Sequence, residues 1–221
     1  MHRARTLFFD LDGTLTDPQE GITKSIQYAL TQMGLAAPEA DNLLHFIGPP
    51  LRESFGELIG AEHAETAVTH YRYRYETEGK GLAENRVYEG IPAMLSALRA
   101  QEKKLWVVTS KPHPIARRIL THFDLNGFFE EIYGAEMDGT RNNKGDLIAY
   151  ILARENFRVD DILMIGDRKH DVLGAARHGI RSIGVTWGYG GAEELTAAGA
   201  HRLVGSVSEL SGILSGITHK D

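Results

Sequence analysis

The sequence lacks cysteine altogether and contains no long apolar run. Without cysteine, disulfide bonds, cysteine nucleophiles and thiolate zinc sites are all excluded. No window approaches the ~18 uncharged apolar residues that a membrane helix needs. The apolar run at 7–9 is also far shorter than the ~7–15 residues of a secretory signal. We therefore expect a cytoplasmic protein without a membrane partner.

Basic charge is scarce as well. The 221 residues include 24 Lys and Arg against 30 Asp and Glu, which gives a net charge of −6. A general nucleic-acid surface needs clustered Lys and Arg, so we expect no nucleic acid polymer as a partner, although a local basic pocket for a small anion remains open. With 42% hydrophobic and 24% charged residues, the composition is typical of a globular chain with a packed core.

Short apolar runs alternate with amphipathic stretches along most of the chain. The runs predict buried strands at 7–9, 105–108, 162–165 and 180–185, and the stretches predict helices at 92–100, 115–123, 147–152 and 172–176. Apolar strands that alternate with helices are typical of a parallel sheet covered on both faces. The sequence therefore predicts an α/β fold with a doubly wound parallel sheet.

The segment from 19 to 84 interrupts this alternation, because it contains helical patterns only. These patterns cover 22–33, 39–46, 51–58 and 61–78, and glycine and proline separate them. A segment of this length is too long for a loop in a compact domain. We predict a helical cap, 16–84, inserted after the first strand of an α/β core formed by 1–15 and 85–221. In the alternative, these helices pack on the sheet as part of one body.

Two carboxylates, Asp10 and Asp12, follow the first predicted strand. Ligands bind beyond the carboxyl ends of the strands in open parallel sheets, and two close carboxylates repel unless a cation lies between them. Mg²⁺ prefers such oxygen ligands, and one carboxylate would then be available as a nucleophile towards phosphorus. A helix–loop–helix calcium site is excluded, because Thr14 and Gly21 occupy positions where it needs ligands. An ordinary Asp-Gly turn is the alternative.

Polar residues also follow the second long strand and open a later helix. Of Thr109 and Ser110, one hydroxyl is expected to cap the next helix and the other to hold a phosphate oxygen. Lys144 lies at the start of a predicted helix, where a cation opposes the helix dipole and therefore indicates a nearby anion. A solvated surface lysine is the alternative.

A second pair of acids, Asp167 and Asp171, follows the strand predicted at 162–165 and is spaced by one helical turn. Asp167 is predicted to complete a magnesium site with Asp10, or alternatively to cap the following helix. Asp171 is predicted to bind a water of the metal or to fix Lys144.

The order of these motifs resembles that of the haloacid dehalogenase-like (HAD) superfamily of phosphotransferases. The resemblance extends from residue 7 to about residue 191 and rests on Asp-x-Asp-Gly-Thr at 10–14, Thr109, Lys144 and Gly-Asp-x-x-x-Asp at 166–171. It implies a HAD-like core with a small α-helical cap after the first strand. Further stretches, at 48–50 and 89–92, look most like the phosphoglycolate phosphatase-like branch.

The resemblance also implies a role for each residue. Asp10 would attack phosphorus and form an aspartyl-phosphate, and Asp12 would protonate the leaving oxygen and then deprotonate the hydrolytic water. The phosphoryl oxygens would be held by Thr109, Ser110 and Lys144, and Mg²⁺ by Asp10, Asp12 through its carbonyl oxygen, and Asp167, with Asp171 in support. Because the first step needs a protonated Asp12, we expect its neighbours to raise its pKa.

The implied activity is magnesium-dependent hydrolysis of a small phosphorylated metabolite, as in phosphoglycolate phosphatases. Ser110 and Gly145 depart from the common pattern of that branch, and similar sequences include 5′-nucleotidases, so nucleoside monophosphates are the alternative substrates. A phosphomutase is a weaker alternative, and Asp12 and Asp167 weigh against a dehalogenase. Arg52 is predicted to bind a carboxylate or second phosphate of the substrate, or else is a solvated helix residue. We expect a monomer or a weak homodimer.

Overall fold

A parallel sheet forms the centre of the computed structural model, which describes residues 4–216. Within that range the strands are β1 (Thr6–Phe9), β2 (Thr16–Asp17), β3 (Arg86–Val87), β4 (Lys104–Pro112), β5 (Glu131–Ala135), β6 (Ile162–Gly166), β7 (Arg181–Val185) and β8 (Arg202–Val204). Six of them form one sheet in the order β5-β4-β1-β6-β7-β8, with every neighbouring pair parallel. The predicted α/β fold with a parallel sheet is confirmed.

The four predicted strands are β1, β4, β6 and β7, whereas the two edge strands were not predicted. Edge strands bury less of their surface, so they lack a continuous apolar run. In β5, polar Glu131 and half-buried Tyr133 flank the buried Ile132, and β8 is only three residues long. Neither pattern stands out from the surrounding loops.

Strand β1 lies at the centre of the sheet. Phe8 pairs with Trp106 of β4 on one side and with Met164 of β6 on the other. The pairing continues one residue beyond the strand, because the backbone N–H of Asp10 donates to the carbonyl of Ile165 at 2.9 Å. Asp10 is therefore held at the carboxyl end of the central strand, where ligands bind in sheets of this kind.

Helices cover both faces of the sheet and fill the segment after β2. They are α1 (Gln19–Gln32), α2 (Leu51–Ile59), α3 (Ala61–Arg72), α4 (Lys80–Ala83), α5 (Ile91–Ala100), α6 (His113–His122), α7 (Lys144–Arg154), α8 (Lys169–Ala176), α9 (Gly191–Ala197) and α10 (Val207–Gly216). Side chains alternate between faces along a strand: Phe8 belongs to the same buried cluster as Ile148 of α7, whereas Phe9 belongs to the cluster that contains Leu95 of α5. No helix between residues 4 and 216 has the length and apolar character needed to cross a membrane.

The segment between β2 and β3 is helical, as predicted. It contains α1 to α4, a 3₁₀ helix at Ala40–Phe46 and a π-helical turn at Tyr73–Thr77. The helix predicted over 61–78 is therefore continuous, but it changes from α-helical to π-helical after Arg72. Strands β2 and β3 pair in antiparallel fashion, which brings the two chain connections of this segment together. The division into a core of 1–15 and 85–221 and a cap of 16–84 stays a prediction.

Candidate active site

Three predicted site residues meet at the carboxyl ends of the central strands. Asp10 follows β1, Thr109 lies near the end of β4, and Asp167 follows β6. Because β4 and β6 flank β1, their ends lie side by side. All three side chains are buried, and Asp167 has no exposed surface at all. The site is therefore a buried polar pocket at the carboxyl ends of the central strands.

Lys144 links two of the acids in this pocket. Its Nζ lies 2.9 Å from Asp10 Oδ1 and 2.7 Å from Asp171 Oδ1, and it donates to the carbonyl of Val108 at 2.7 Å. The side chain of Asn143 caps α7 and makes Lys144 its first residue. Burial would lower the pKa of Lys144, but the charges of Asp10 and Asp171 outweigh it and raise this pKa to about 12. The lysine is therefore a fixed positive charge beside Asp10.

Asp10, Asp167 and Asp171 each offer a carboxylate oxygen within 4.8 Å of the other two. Burial, reinforced by Asp171, raises the pKa of Asp167 well above its ordinary range, and burial together with Asp10 raises that of Asp171 to about 6. Three carboxylates face the single positive charge of Lys144, so the ionised cluster carries an excess of negative charge. Its all-oxygen donor set and this excess fit a hard divalent cation.

Glycines allow the cluster to form. Asp167 Oδ2 accepts a hydrogen bond from the backbone N–H of Tyr189 at 2.8 Å, and a Cβ at Gly188 would lie 2.4 Å from the Asp167 side chain. Gly13 adopts a φ of +80°, and a Cβ there would lie 2.1 Å from Asp167 Oδ2. Any larger residue at either position would displace the carboxylate.

Asp171, and not Asp167, serves the start of α8. One oxygen of Asp171 accepts a hydrogen bond from the backbone N–H of Arg168 at 3.1 Å, and Arg168 occupies the cap position. The alternative interpretation of Asp167 as a helix cap is therefore wrong. Because the other Asp171 oxygen meets Lys144, the predicted contact between these two residues is confirmed.

Asp12 lies apart from the cluster and pairs with a residue that the sequence analysis did not identify. Its Oδ2 lies 2.6 Å from the Nζ of Lys111, so the structure does not bring the Asp12 carboxylate among the three clustered acids. Burial raises the pKa of Asp12, and Asp10 adds to this rise while Lys111 opposes it. At Lys111 burial works against the charge, but Asp12 still raises its pKa. The expected rise in the pKa of Asp12 is thus present, with burial as its main cause.

Thr109 and Ser110 do not cap a helix. Strand β4 continues to Pro112, which precedes the first residue of α6. The register against β5 shifts between Thr109 and Pro112, and the Thr109 hydroxyl accepts a hydrogen bond from the backbone N–H of Lys111 at 3.2 Å. The capping prediction is therefore wrong, and the role of both hydroxyls towards phosphate stays a prediction.

A cleft of about 540 Å³ opens over Asp12 between the sheet edge and helices α2 and α3. Ser110 and Lys111 line it from the core, and Tyr71 lines it from α3. The Arg52 side chain lies on its wall, is 72% exposed and pairs with Glu65 at 2.5 Å. Arg52 is thus beside the cleft but not among the buried residues at the strand ends, and its predicted contact with substrate stays a prediction.

The chain is similar to known proteins over most of its length. The chain is 49% identical over 197 residues to the 5′-nucleotidase of Pseudomonas aeruginosa, a match that covers 88% of each chain. It is 44% identical to the tyrosine-protein kinase PtkA of Mycobacterium tuberculosis over 85% of its own length and 64% of that protein. A phosphoglycolate phosphatase of Aquifex aeolicus is more distant, at 28% identity over 84% of this chain and 86% of that one.

The fold has a close counterpart among solved structures. A predicted phosphatase from Clostridium acetobutylicum superposes with a TM-score of 0.91 at 43% identity, covering 96% of this chain and 98% of that one. Residues 7–185 match the haloacid dehalogenase-like hydrolase family. This range includes Asp10, Lys144 and the clustered acids, and the chain is therefore a phosphoric monoester hydrolase that belongs to the haloacid dehalogenase-like hydrolase family.

Proposed function

We propose that this protein is a magnesium-dependent phosphomonoesterase that works through an aspartyl-phosphate on Asp10. The observation that carries the proposal is the contact of Lys144 with both Asp10 and Asp171. Asp10 lies two positions along the chain from Asp12, which lines the cleft. A fixed cation beside the attacking carboxylate stabilises the negative charge of a transferring phosphoryl group. The hydroxyls of Thr109 and Ser110 would hold its remaining oxygens.

The chemistry proceeds in two balanced steps. In the first, an Asp10 oxygen forms a bond to phosphorus while the bond to the ester oxygen breaks, and Asp12 donates its proton to that leaving oxygen. In the second, the water oxygen forms a bond to phosphorus while the bond between phosphorus and the Asp10 oxygen breaks, and Asp12 accepts a proton from that water. This releases phosphate and restores the Asp10 carboxylate. Burial raises the pKa of Asp12, which favours the protonated form required by the first step.

Asp10, Asp167 and the backbone carbonyl of Asp12 would hold the Mg²⁺, with Asp171 in support. The bound ion would supply positive charge for the phosphoryl oxygens and neutralise the clustered carboxylates. The donor set favours Mg²⁺ over softer metals because it contains oxygen alone.

Two classes of substrate follow from the relatives: phosphoglycolate and nucleoside monophosphates. The cleft of about 540 Å³ lies in the range of pockets that enclose drug-sized ligands, roughly 300–1,000 Å³, which favours the larger nucleoside monophosphates. The 49% identity to a protein named 5′-nucleotidase supports the same choice. A phosphomutase would share the first step but exclude water from the second. A cytoplasmic location, a monomer or weak homodimer, and the absence of nucleic acid polymers as partners stay predictions.

The proposal is tested by trapping the intermediate. The protein is mixed with p-nitrophenyl phosphate and Mg²⁺, quenched in acid, digested and analysed by mass spectrometry. We expect one phosphoryl group on the peptide that contains Asp10, and none in the Asp10→Asn variant or in excess EDTA. Phosphate release without a phosphorylated Asp10 peptide would refute the mechanism. An equal rate of phosphate release with Mg²⁺ and in excess EDTA would also refute it.

A further inference from the structure

The positive charges on the wall of the cleft are already matched. The three cationic side chains that line it among the described residues are Arg52, Arg72 and Lys111. Arg52 lies 2.5 Å from Glu65, Lys111 lies 2.6 Å from Asp12, and Arg72 lies 3.8 Å from Glu76. Arg52 and Arg72 therefore offer no unbalanced charge to a negatively charged leaving group, and Lys111 offers none while Asp12 is ionised.

Further carboxylates make the wall acidic. In addition to the three paired acids, the cleft is lined by Glu53, Glu136 and Asp138. Glu136 pairs with Arg141, which does not line the cleft. Without Asp12, which the first step needs in its protonated form, the wall that the structure describes still carries five carboxylates against three cationic side chains. Carboxylates on the wall repel a negatively charged ligand more strongly inside the cleft than in open water, because protein screens charges less than water does.

The cleft also holds polar atoms without hydrogen-bond partners. The Tyr75 hydroxyl and the Arg72 Nε are buried, and neither has a hydrogen-bond partner among the described residues. Both residues line the cleft, and Tyr75 is only 4% exposed. A buried polar group without a partner is costly, so the Tyr75 hydroxyl indicates a ligand with an uncharged polar group, such as a hydroxyl. Arg72 Nε makes no hydrogen bond within the described part of the chain but lies 3.8 Å from the Glu76 carboxylate, so it does not distinguish between ligands.

We propose that the cleft selects phosphate esters of uncharged, hydroxyl-bearing alcohols, the class that includes nucleosides, and rejects esters whose leaving group carries a second negative charge. This inference rests on the proposed phosphomonoesterase function, because it concerns the leaving group of that reaction. Its physical basis is the acidic wall together with the unpartnered Tyr75 hydroxyl. The protein would then discriminate against phosphoglycolate by charge, and not only by size.

Two substrates of nearly equal size isolate the charge. Phosphoglycolate and 2-hydroxyethyl phosphate differ in one group, which is a carboxylate in the first and a hydroxymethyl group in the second. We expect kcat/KM to be at least about 10-fold higher for 2-hydroxyethyl phosphate, which corresponds to ~1.4 kcal/mol of repulsion in the transition state. Added salt should narrow this ratio, because it screens the wall charges.

The Glu65→Gln variant tests which charges are responsible. It removes one carboxylate and leaves Arg52 without its partner, so kcat/KM for phosphoglycolate should rise relative to 2-hydroxyethyl phosphate by about 3–10-fold. Glu62→Gln is the matched control, because Glu62 lies on the same helix, is exposed and does not line the cleft. Its substrate ratio should equal that of the wild type.

Each outcome decides the proposal. A wild-type protein that prefers phosphoglycolate, or a Glu65→Gln variant whose substrate ratio stays at the wild-type value, would overturn charge selection. Either result leaves the phosphomonoesterase function standing, provided that p-nitrophenyl phosphate is hydrolysed with Mg²⁺. Failure to hydrolyse p-nitrophenyl phosphate would instead refute the proposed function on which the inference rests.

Discussion

The guanidinium of Arg168 donates a hydrogen bond to the backbone carbonyl of Ile47. Arg168 directly follows Asp167 of the acidic cluster, and Ile47 lies in the helical segment between β2 and β3. Arg168 also pairs with Glu194, with Nε 2.9 Å from Oε1, and is 7% exposed. One side chain therefore connects the helical segment to the loop that carries a predicted metal ligand.

Arg168→Ala should loosen this connection. The variant loses a buried hydrogen bond made by a charged group, which costs about 1.5–3 kcal/mol of unfolding free energy. For a chain of this size the Tm should fall by roughly 5 °C, and amide exchange at 46–48 should accelerate. Arg177→Ala is the control, because Arg177 pairs with Asp146 where both side chains are more than half exposed. Equal losses in the two variants would show that Arg168 has no special connecting role.

The arrangement of the core acids was predictable because it follows from short-range patterns. Asp10 and Asp167 each follow a continuous apolar run, and such runs form the central strands of a parallel sheet. Since the ends of adjacent central strands lie together, the two acids meet without further information. Lys144 was predictable for a similar reason, because a cation at a helix start needs an anion, and the structure supplies Asp10 and Asp171.

The contacts made by Lys111 and Arg168 were not predictable, because neither residue has a local signal. Lys111 meets Asp12 across 99 positions of the chain, and Arg168 meets Ile47 across 121. The local sequence around each residue indicates only a solvated basic side chain near the start of a helix. Their burial depends on how the helical segment packs over the sheet edge, which periodicity does not describe. The extension of β4 to Pro112 is a related case, because the pairing with β5 lengthens the strand.

Asp10→Asn should abolish activity without lowering stability. The amide has no anionic oxygen to attack phosphorus, so kcat should fall at least about 100-fold. The substitution also removes one of three carboxylates whose oxygens lie within 4.8 Å of one another. When EDTA keeps the site free of metal, this relieves the repulsion between them, and Lys144 keeps its contact with Asp171. Its Tm in EDTA should therefore equal or exceed that of the wild type. Tm is measured by calorimetry, and Asp160→Asn is the control because Asp160 is exposed. A clear fall in Tm for Asp10→Asn would contradict the excess of negative charge in the cluster.

Mg²⁺ should stabilise the wild-type protein by binding to the acidic cluster. At a concentration of 100 times the Kd, a ligand that binds only the folded state adds about 2.7 kcal/mol, which corresponds to a rise in Tm of roughly 5–10 °C. Asp167→Ala should lose most of this rise, and EDTA should abolish turnover reversibly.

Ca²⁺ should stabilise the protein but inhibit turnover, because its larger radius and looser coordination spoil the alignment of the phosphoryl group. Full activity in excess EDTA would refute the metal site.

Lys111 is expected to control the protonation of Asp12. Its Nζ lies 2.6 Å from Asp12 Oδ2 and 4.9 Å from the centre of the Tyr75 ring, and both members of the ion pair are nearly buried. Its positive charge opposes the rise in the pKa of Asp12 that burial causes. Loss of that charge leaves burial and the neighbouring Asp10 to act alone, so the pKa of Asp12 rises further.

Lys111→Met should therefore move the alkaline limb of the pH profile. The first step requires protonated Asp12, so kcat/KM falls as the pH rises through the pKa of Asp12 in the free protein. A higher pKa shifts this fall to higher pH, while the unfolding free energy decreases by roughly 1–3 kcal/mol because Asp12 loses its buried partner. Lys111→Arg keeps the charge and should keep the wild-type limb. A limb that stays in place in Lys111→Met, or moves to lower pH, would show that Asp12 is not the acid of the first step.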